Sequence, residues 1–370
     1  MLKGILSVIA SLLIVCSASA LTIVDSARNV VEIEKVPERI VCLNPHCAEA
    51  IMLFGAKDKI VGLSTQARKP YLPNVTDVGN FMDPNIEAII ALNPDLVITY
   101  AGPGAMIVPK EKLDDKLRGT GIKVVRLNFY KLETVFDEII TLGKILGKEK
   151  EAEELVKFWE SQLGEIVERA KKVEKRVRVY WETYPSYTAV GKGGSGDDII
   201  KIAGGYNVFG NETLYVKTDV EKIVAKNPEV VIKITASFQP YGAENITKLV
   251  ELYREFISRP EMSQIDAGKN GRIYLICSDL LFANFGLVVT VAYVSKILYP
   301  DLFEDLDPKE LHRKYVESLG LEYKGVWVYP ELPKIEKPKS EKEEKTIPGF
   351  EFSIAISAIA SLILLRRVIK

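Results

Sequence analysis

Through the middle of the chain, short runs of branched apolar residues alternate with longer segments whose apolar positions recur every three or four residues. The first pattern predicts buried strands and the second one-sided helices. In the first half, Arg39 to Leu43 predicts a strand, Ala48 to Phe54 a helix, Ile60 to Leu63 a strand and Val124 to Leu127 another. In the second half, Val177 to Glu182 and Thr188 to Val190 predict strands and Asp197 to Ala203 a helix, stopped by Gly204-Gly205. Between the halves, Leu155, Phe158, Trp159, Leu163, Ile166, Val167 and Ala170 line one face of a long amphipathic helix. Strands and helices in alternation predict α/β layers.

One stretch occurs twice. Ile86 to Ile98 returns as Val220 to Ile232, with seven of thirteen positions identical, including Asn93-Pro94 and Asn227-Pro228. Each copy predicts a short helix that stops before its proline and runs into a buried strand. The repeat points to two similar α/β lobes, over 21–130 and 176–325, joined by a helical link over 131–175 that restricts hinge motion.

The ends differ from this body. Lys3, an apolar run from Ile5 to Val15 and the small residues Ser17 to Ala20 have the order of a secretory signal peptide, with cleavage expected after Ala20. The segment 326–347 is expected to be a stalk, because Tyr329 to Thr346 is built of Pro, Lys and Glu with almost nothing apolar after Ile335. Phe350 to Leu365 is then apolar apart from Glu351 and a few serines, with Arg366-Arg367 beyond it. That length is at the lower limit for a spanning helix, and the basic flank would face the cytoplasm.

Composition removes several function classes. With 49 Lys and Arg against 50 Asp and Glu, the net charge is -1, so no basic face is available for nucleic acid. Beyond the leader, the cysteines Cys42, Cys47 and Cys277 form an odd, widely spaced set that does not read as a disulfide framework or a zinc site. His46 and His312 are the only histidines, and no G-x-S-x-G elbow occurs, so an enzyme is not expected. Gly191 to Gly196 matches G-x-G-x-x-G with Asp219 downstream, but the preceding strand is very short and a dinucleotide is scarce outside cells. The amides of that turn could instead meet an anionic group of a ligand.

The order of these segments resembles the class III periplasmic binding proteins, which capture cobalamin, haem and iron siderophores for ABC importers. The resemblance rests on Pro37-Glu38-Arg39-Ile40-Val41, Ala48-Glu49-Ala50 with Gly55-Ala56, Asn93 to Ile98, the linking helix, and Ile202 to Phe209. It implies two Rossmann-like lobes joined by one long α-helix, a binding role without an intrinsic cofactor, and a metal complex as ligand. It also implies an ABC permease dimer with a cytoplasmic ATPase as partner, docked through one surface carboxylate per lobe, Glu87 and Glu221. A surface-anchored structural or interaction protein is the alternative.

In such folds the ligand lies beyond the carboxyl ends of the strands. That rule selects Pro45, His46, Asn80, Phe81 and Tyr100 from the first lobe, and Tyr184, Tyr187, Phe238, Tyr241, Phe282 and Asn284 from the second. The set is aromatic, which suits a large flat ligand, and it lacks an arginine clamp, which disfavours a strongly anionic one. His46 could ligate the metal of a bound chelate from its axial side; the other reading is an ordinary polar lining. The tail Pro348-Gly349-Phe350, with its apolar run and paired arginines, resembles the PGF-CTERM sorting signal of archaeal surface proteins. That likeness implies tail removal and a lipid anchor at the outer face of the membrane; an ordinary C-terminal anchor helix is the other reading.

Overall fold

The computed structural model describes residues 20–102, 108–235 and 245–332. Most of the leader, most of the stalk and the tail with Pro348, Gly349 and Phe350 lie outside the described residues, as do Phe238 and Tyr241. Ala20, the expected cleavage position, is the first described residue and is exposed.

Strands β1 (Leu21–Val24) and β2 (Val30–Ile33) form an antiparallel hairpin. The chain then runs through β3 (Ile40–Cys42), α1 (Pro45–Met52), β4 (Ile60–Leu63) and β5 (Thr76–Asp77). The small hairpin β6 (Gly79–Asn80) and β7 (Asp83–Pro84) follows, then α2 (Ile86–Ala91), β8 (Leu96–Thr99), α3 (Asp114–Leu117) and β9 (Lys123–Arg126). The five strands in the order β5-β4-β3-β8-β9 are all parallel. β3 and β8 are buried throughout, as strands covered by helices on both faces must be.

The predicted long amphipathic helix is α5 (Glu149–Ala170), and a shorter helix, α4 (Val135–Ile145), precedes it; they meet at Gly147, whose φ of 67° stops α4. A side chain at Gly143 would overlap Ala152, so glycine lets the two helices close on each other.

The second sheet is built by β10 (Arg178–Glu182), β11 (Thr188–Val190), β12 (Tyr206–Asn207) and β13 (Tyr215–Lys217), with α6 (Ser195–Ile202) between β11 and β12. Next come α7 (Val220–Lys226), β14 (Val230–Thr235), α8 (Thr247–Ile257), α9 (Asp266–Lys269), β15 (Ile273–Cys277), α10 (Gly286–Leu298), α11 (Pro308–Ser318) and β16 (Val328–Tyr329). The order is β13-β11-β10-β14-β15-β16, with β12 also on β10; β10, β14 and β15 are parallel and β13 shares their direction, while β11 and β16 run against them. The stalk therefore starts later than 326. Trp327 and Val328 are apolar and 4% and 5% exposed, and β16 covers the edge of β15.

The sequence repeat is also a repeat of contacts. Asn85 and Asp219 cap α2 and α7 by accepting from the amides of Ala88 and Lys222, each at 2.9 Å. Asn93 and Asn227 adopt φ of 44° and 40°, left-handed values that asparagine tolerates better than most residues. Arg39 donates to Leu92 O, and Arg178 to Asn227 O. Asp95 accepts from the amide of Arg39, and Glu229 from that of Arg178. Each copy thus welds a helix end to the start of the lobe's first parallel strand.

One apolar core runs from β3 and β4 through α4, α5 and α10 to β10 and β14. At its centre the rings of Trp159 on α5 and Phe285, which precedes α10, are stacked 5.4 Å apart at 13°. Shared packing of this kind resists large relative movement of the lobes.

Candidate functional site

Three first-lobe loops leave the carboxyl ends of β3, β8 and β9, and buried polar groups tie them together. Asn44 accepts from the amide of His46 at 2.8 Å, capping α1, while its amide nitrogen donates to Leu127 O at 2.7 Å and Asn128 O at 3.0 Å. Asn128 in turn accepts from the amide of Ala101 at 3.0 Å. Glu138 on α4 accepts from the amides of Asn128 and Phe129. Burial pushes its carboxyl up, and these donors oppose that.

This bracing collects four rings. Tyr100 packs edge-on to Phe81 at 5.4 Å and to Tyr130 at 5.6 Å, and the His46 ring lies 6.1 Å from Tyr100 and 6.3 Å from Tyr130. Tyr100 is buried at 2% exposure and forms the base, while His46, Phe81 and Tyr130 are partly exposed. Burial, and then the charge of Lys69, lower His46 to about 4, so its imidazole is neutral at pH 7. Tyr130 is pushed up by burial, then by Glu138 and by Tyr215 of the second lobe.

Several large side chains of the second lobe are exposed. Tyr184 is 54% exposed, Leu214 49% and Tyr215 61%. Tyr184 neighbours Ser278 and Asp279, which follow β15. Beneath, the lobes are joined by polar contacts. Lys69 pairs with Asp279 at 2.7 Å, and Asn284 donates from its backbone to Phe129 O at 2.7 Å and from its side chain to His46 O at 3.2 Å. Glu49, buried on α1, accepts from the Tyr71 hydroxyl at 2.7 Å. Burial pushes it up to about 7, against the Tyr71 bond and reinforced by Asp279.

Of the residues predicted from the sequence, His46, Phe81 and Tyr100 meet in the ring cluster, and Pro45 opens α1 beside them. Asn80 accepts from the Met82 amide and so shapes its own turn. Asn284 is fully buried and joins the lobes instead of lining an open surface. Phe282 packs edge-on to Trp181 at 6.1 Å. Tyr187 lies away from the ring cluster, against the Arg259 guanidinium at 4.8 Å, and Arg259 is itself held by Glu182 and Ser186. Tyr130, Lys69 and Tyr215 were not predicted. Tyr130 follows β9 and obeys the rule that selected Tyr100, whereas Lys69 and Tyr215 carry no local signal and come near the ring cluster by tertiary placement.

Two readings of motifs change. A Cβ at Gly196 would lie 2.8 Å from the Trp181 ring, and one at Gly191 would overlap Glu212 O, so these glycines serve close packing of backbone and helix. Cys42 and Cys47 are not apart: their sulfurs lie 2.7 Å from each other, because the turn between β3 and α1 folds the chain back. Among the described residues, no group of His, Cys, Asp or Glu could hold a metal by itself, and no helix is long and apolar enough to cross a membrane.

The profile of the periplasmic binding protein family matches residues 40–280. An uncharacterized ABC transporter substrate-binding lipoprotein, YvrC of Bacillus subtilis, is 30% identical over 291 residues, covering 77% of this chain and 87% of its own. The cobalamin-binding protein of Halobacterium salinarum is 27% identical over 218 residues, 56% of this chain and 57% of its own. Among solved structures, the TroA-like periplasmic binding protein FepB from Veillonella parvula superposes with a TM-score of 0.70 at 22% identity, covering 83% of this chain and 98% of that one. Together with the two parallel-cored sheets and their helical link, these matches establish that the chain belongs to the periplasmic binding protein family and has its class III fold.

Proposed function

We propose that the protein is the solute-binding component of an ABC importer, and that it takes a cobalamin-like corrinoid or an iron chelate such as haem or a siderophore between its lobes. The carrying observation is the aromatic cluster of His46, Phe81, Tyr100 and Tyr130, with the exposed Tyr184 and Tyr215 of the second lobe near it. Exposed rings that remain partly uncovered favour a broad, flat ligand over a small ion. The neutral His46 imidazole keeps a lone pair for the metal of such a complex. The name of the Bacillus relative supports the ABC substrate-binding role, and that of the Halobacterium relative a cobalamin-like ligand. Glu87 and Glu221 are exposed in the first turns of α2 and α7, where they would meet arginines of a two-fold permease. The tail would keep the receptor near that permease, at the outer face of the membrane.

The test is a thermal-shift and calorimetric titration of the mature body with cobalamin, haem and ferric siderophores, with mass spectrometry of co-purified small molecules. Saturable micromolar binding of one of them, lost in Tyr130→Ala, supports the proposal. If none binds, the proposed ligand class falls and the alternative of a surface interaction protein gains. Glu87→Ala with Glu221→Ala should impair uptake and leave ligand affinity unchanged; lost affinity would put these residues in the cleft.

A further inference from the structure

We propose that Cys42 and Cys47 are joined by a disulfide bond that staples the turn carrying His46, while Cys277 remains a thiol. Cys42 is the last residue of β3 and Cys47 lies in the first turn of α1, and both are 0% exposed. Their sulfurs lie 2.7 Å apart. Non-bonded heavy atoms pack at roughly 3.5–4.0 Å, so this separation belongs to a pair close to bonding. The turn between them is already fixed at both ends. Asn44 is locked to Leu127, Asn128 and His46, and the Cys47 amide donates to Asn44 O at 3.1 Å. Two thiols held together by so rigid a turn have little conformational freedom left to lose on bonding.

The chemistry balances with an external disulfide as the oxidant. One sulfur, as thiolate, attacks the external disulfide and releases a thiol; the other displaces the second thiol and closes the bond. Two S–H bonds break, one S–S bond forms, and the external disulfide takes up two electrons and two protons. Burial, then the Cys42 contact, push the Cys47 thiol well up, so exchange is slow once the lobe has folded and the bond must close during folding. The oxidising side of the membrane, to which the N-terminal export pattern directs the chain, supplies the reagent. Cys277 is also buried, on β15, and is pushed up to about 12 mainly by burial.

The experiment uses the exported protein, unfolded in denaturant and alkylated with iodoacetamide with or without prior reduction. Arg39 and Lys57 flank a single tryptic peptide holding both cysteines, so the bond reads as an internal link. Without reductant, that peptide is expected unalkylated and 2 Da lighter than its dithiol form, with Cys277 alkylated; after reduction it carries two labels. Two labels without reduction would overturn the proposal. The Cys42→Ser, Cys47→Ser double variant is expected to melt about 5 °C lower. An unchanged melting temperature would refute the staple, and should the variant fail to fold, peptide mapping of the wild type still decides. Neither readout depends on which ligand the cleft takes.

Discussion

Lys69 Nζ, beyond β4, lies 2.7 Å from Asp279 Oδ1, beyond β15, and this ion pair joins the two lobes beneath the aromatic cluster. The side chains are 34% and 13% exposed, so the pair is partly sheltered from screening. Burial pulls Lys69 down, but Asp279 and Glu49 outweigh it and hold the ammonium charged. Asp279→Asn is expected to lower unfolding free energy by about 1–2 kcal/mol, between the values for exposed and buried pairs. Urea denaturation reads this, and an unchanged midpoint would mean that the pair does not hold the lobes together.

Glu49 carries a pH signature. Its folded value of about 7 lies above the ordinary 4.5, so the folded protein retains a proton that the unfolded chain has released. Its contribution is fully present below about pH 4.5 and is lost as pH rises through 7. Glu49→Gln cannot ionise. Its stability relative to wild type should therefore rise between pH 4.5 and 7.5, by at most about 3 kcal/mol. A pH-independent difference in melting temperature would show that Glu49 titrates normally.

The Trp159–Phe285 stack is the apolar counterpart of the Lys69 bridge. Trp159→Ala removes a 2% exposed indole from the core that links α5 to α10. A loss of about 3–5 kcal/mol is expected by chemical denaturation, and Trp159→Phe should restore more than half of it.

In the second lobe, Glu182 is fully buried and meets Lys233 at 2.9 Å, Arg259 at 3.0 Å and the Tyr180 hydroxyl at 2.7 Å. Burial lowers Lys233, and Glu182 opposes that. Glu182→Ala would leave two cations without their carboxylate and is expected to cost about 3–5 kcal/mol. Because Lys233 also donates to Thr183 O and Tyr184 O, the variant should disturb the Tyr184 loop, read as weaker ligand binding. Unchanged stability would mean that water replaces the carboxylate.

The sequence by itself determined the elements whose cause is local. Apolar periodicity marked α5 and the buried parallel strands, and the Asn-Pro repeat marked two helix-to-strand corners that the structure builds with matching contacts. Strand ends selected Tyr100 and His46, because the cleft rule depends only on chain order. What depends on several distant segments was decided by tertiary structure alone. The pairing of the edge strand β16 with β15 comes from packing that no single stretch encodes. Lys69 reached the junction of the lobes because Asp279, 210 residues away, offered the charge that compensates its burial. Tyr215 stands near Tyr130 because two separately folded sheets are fixed by one core. Periodicity reports which face of an element is buried; the position of that face against another lobe is set by side-chain volume and charge across the whole chain.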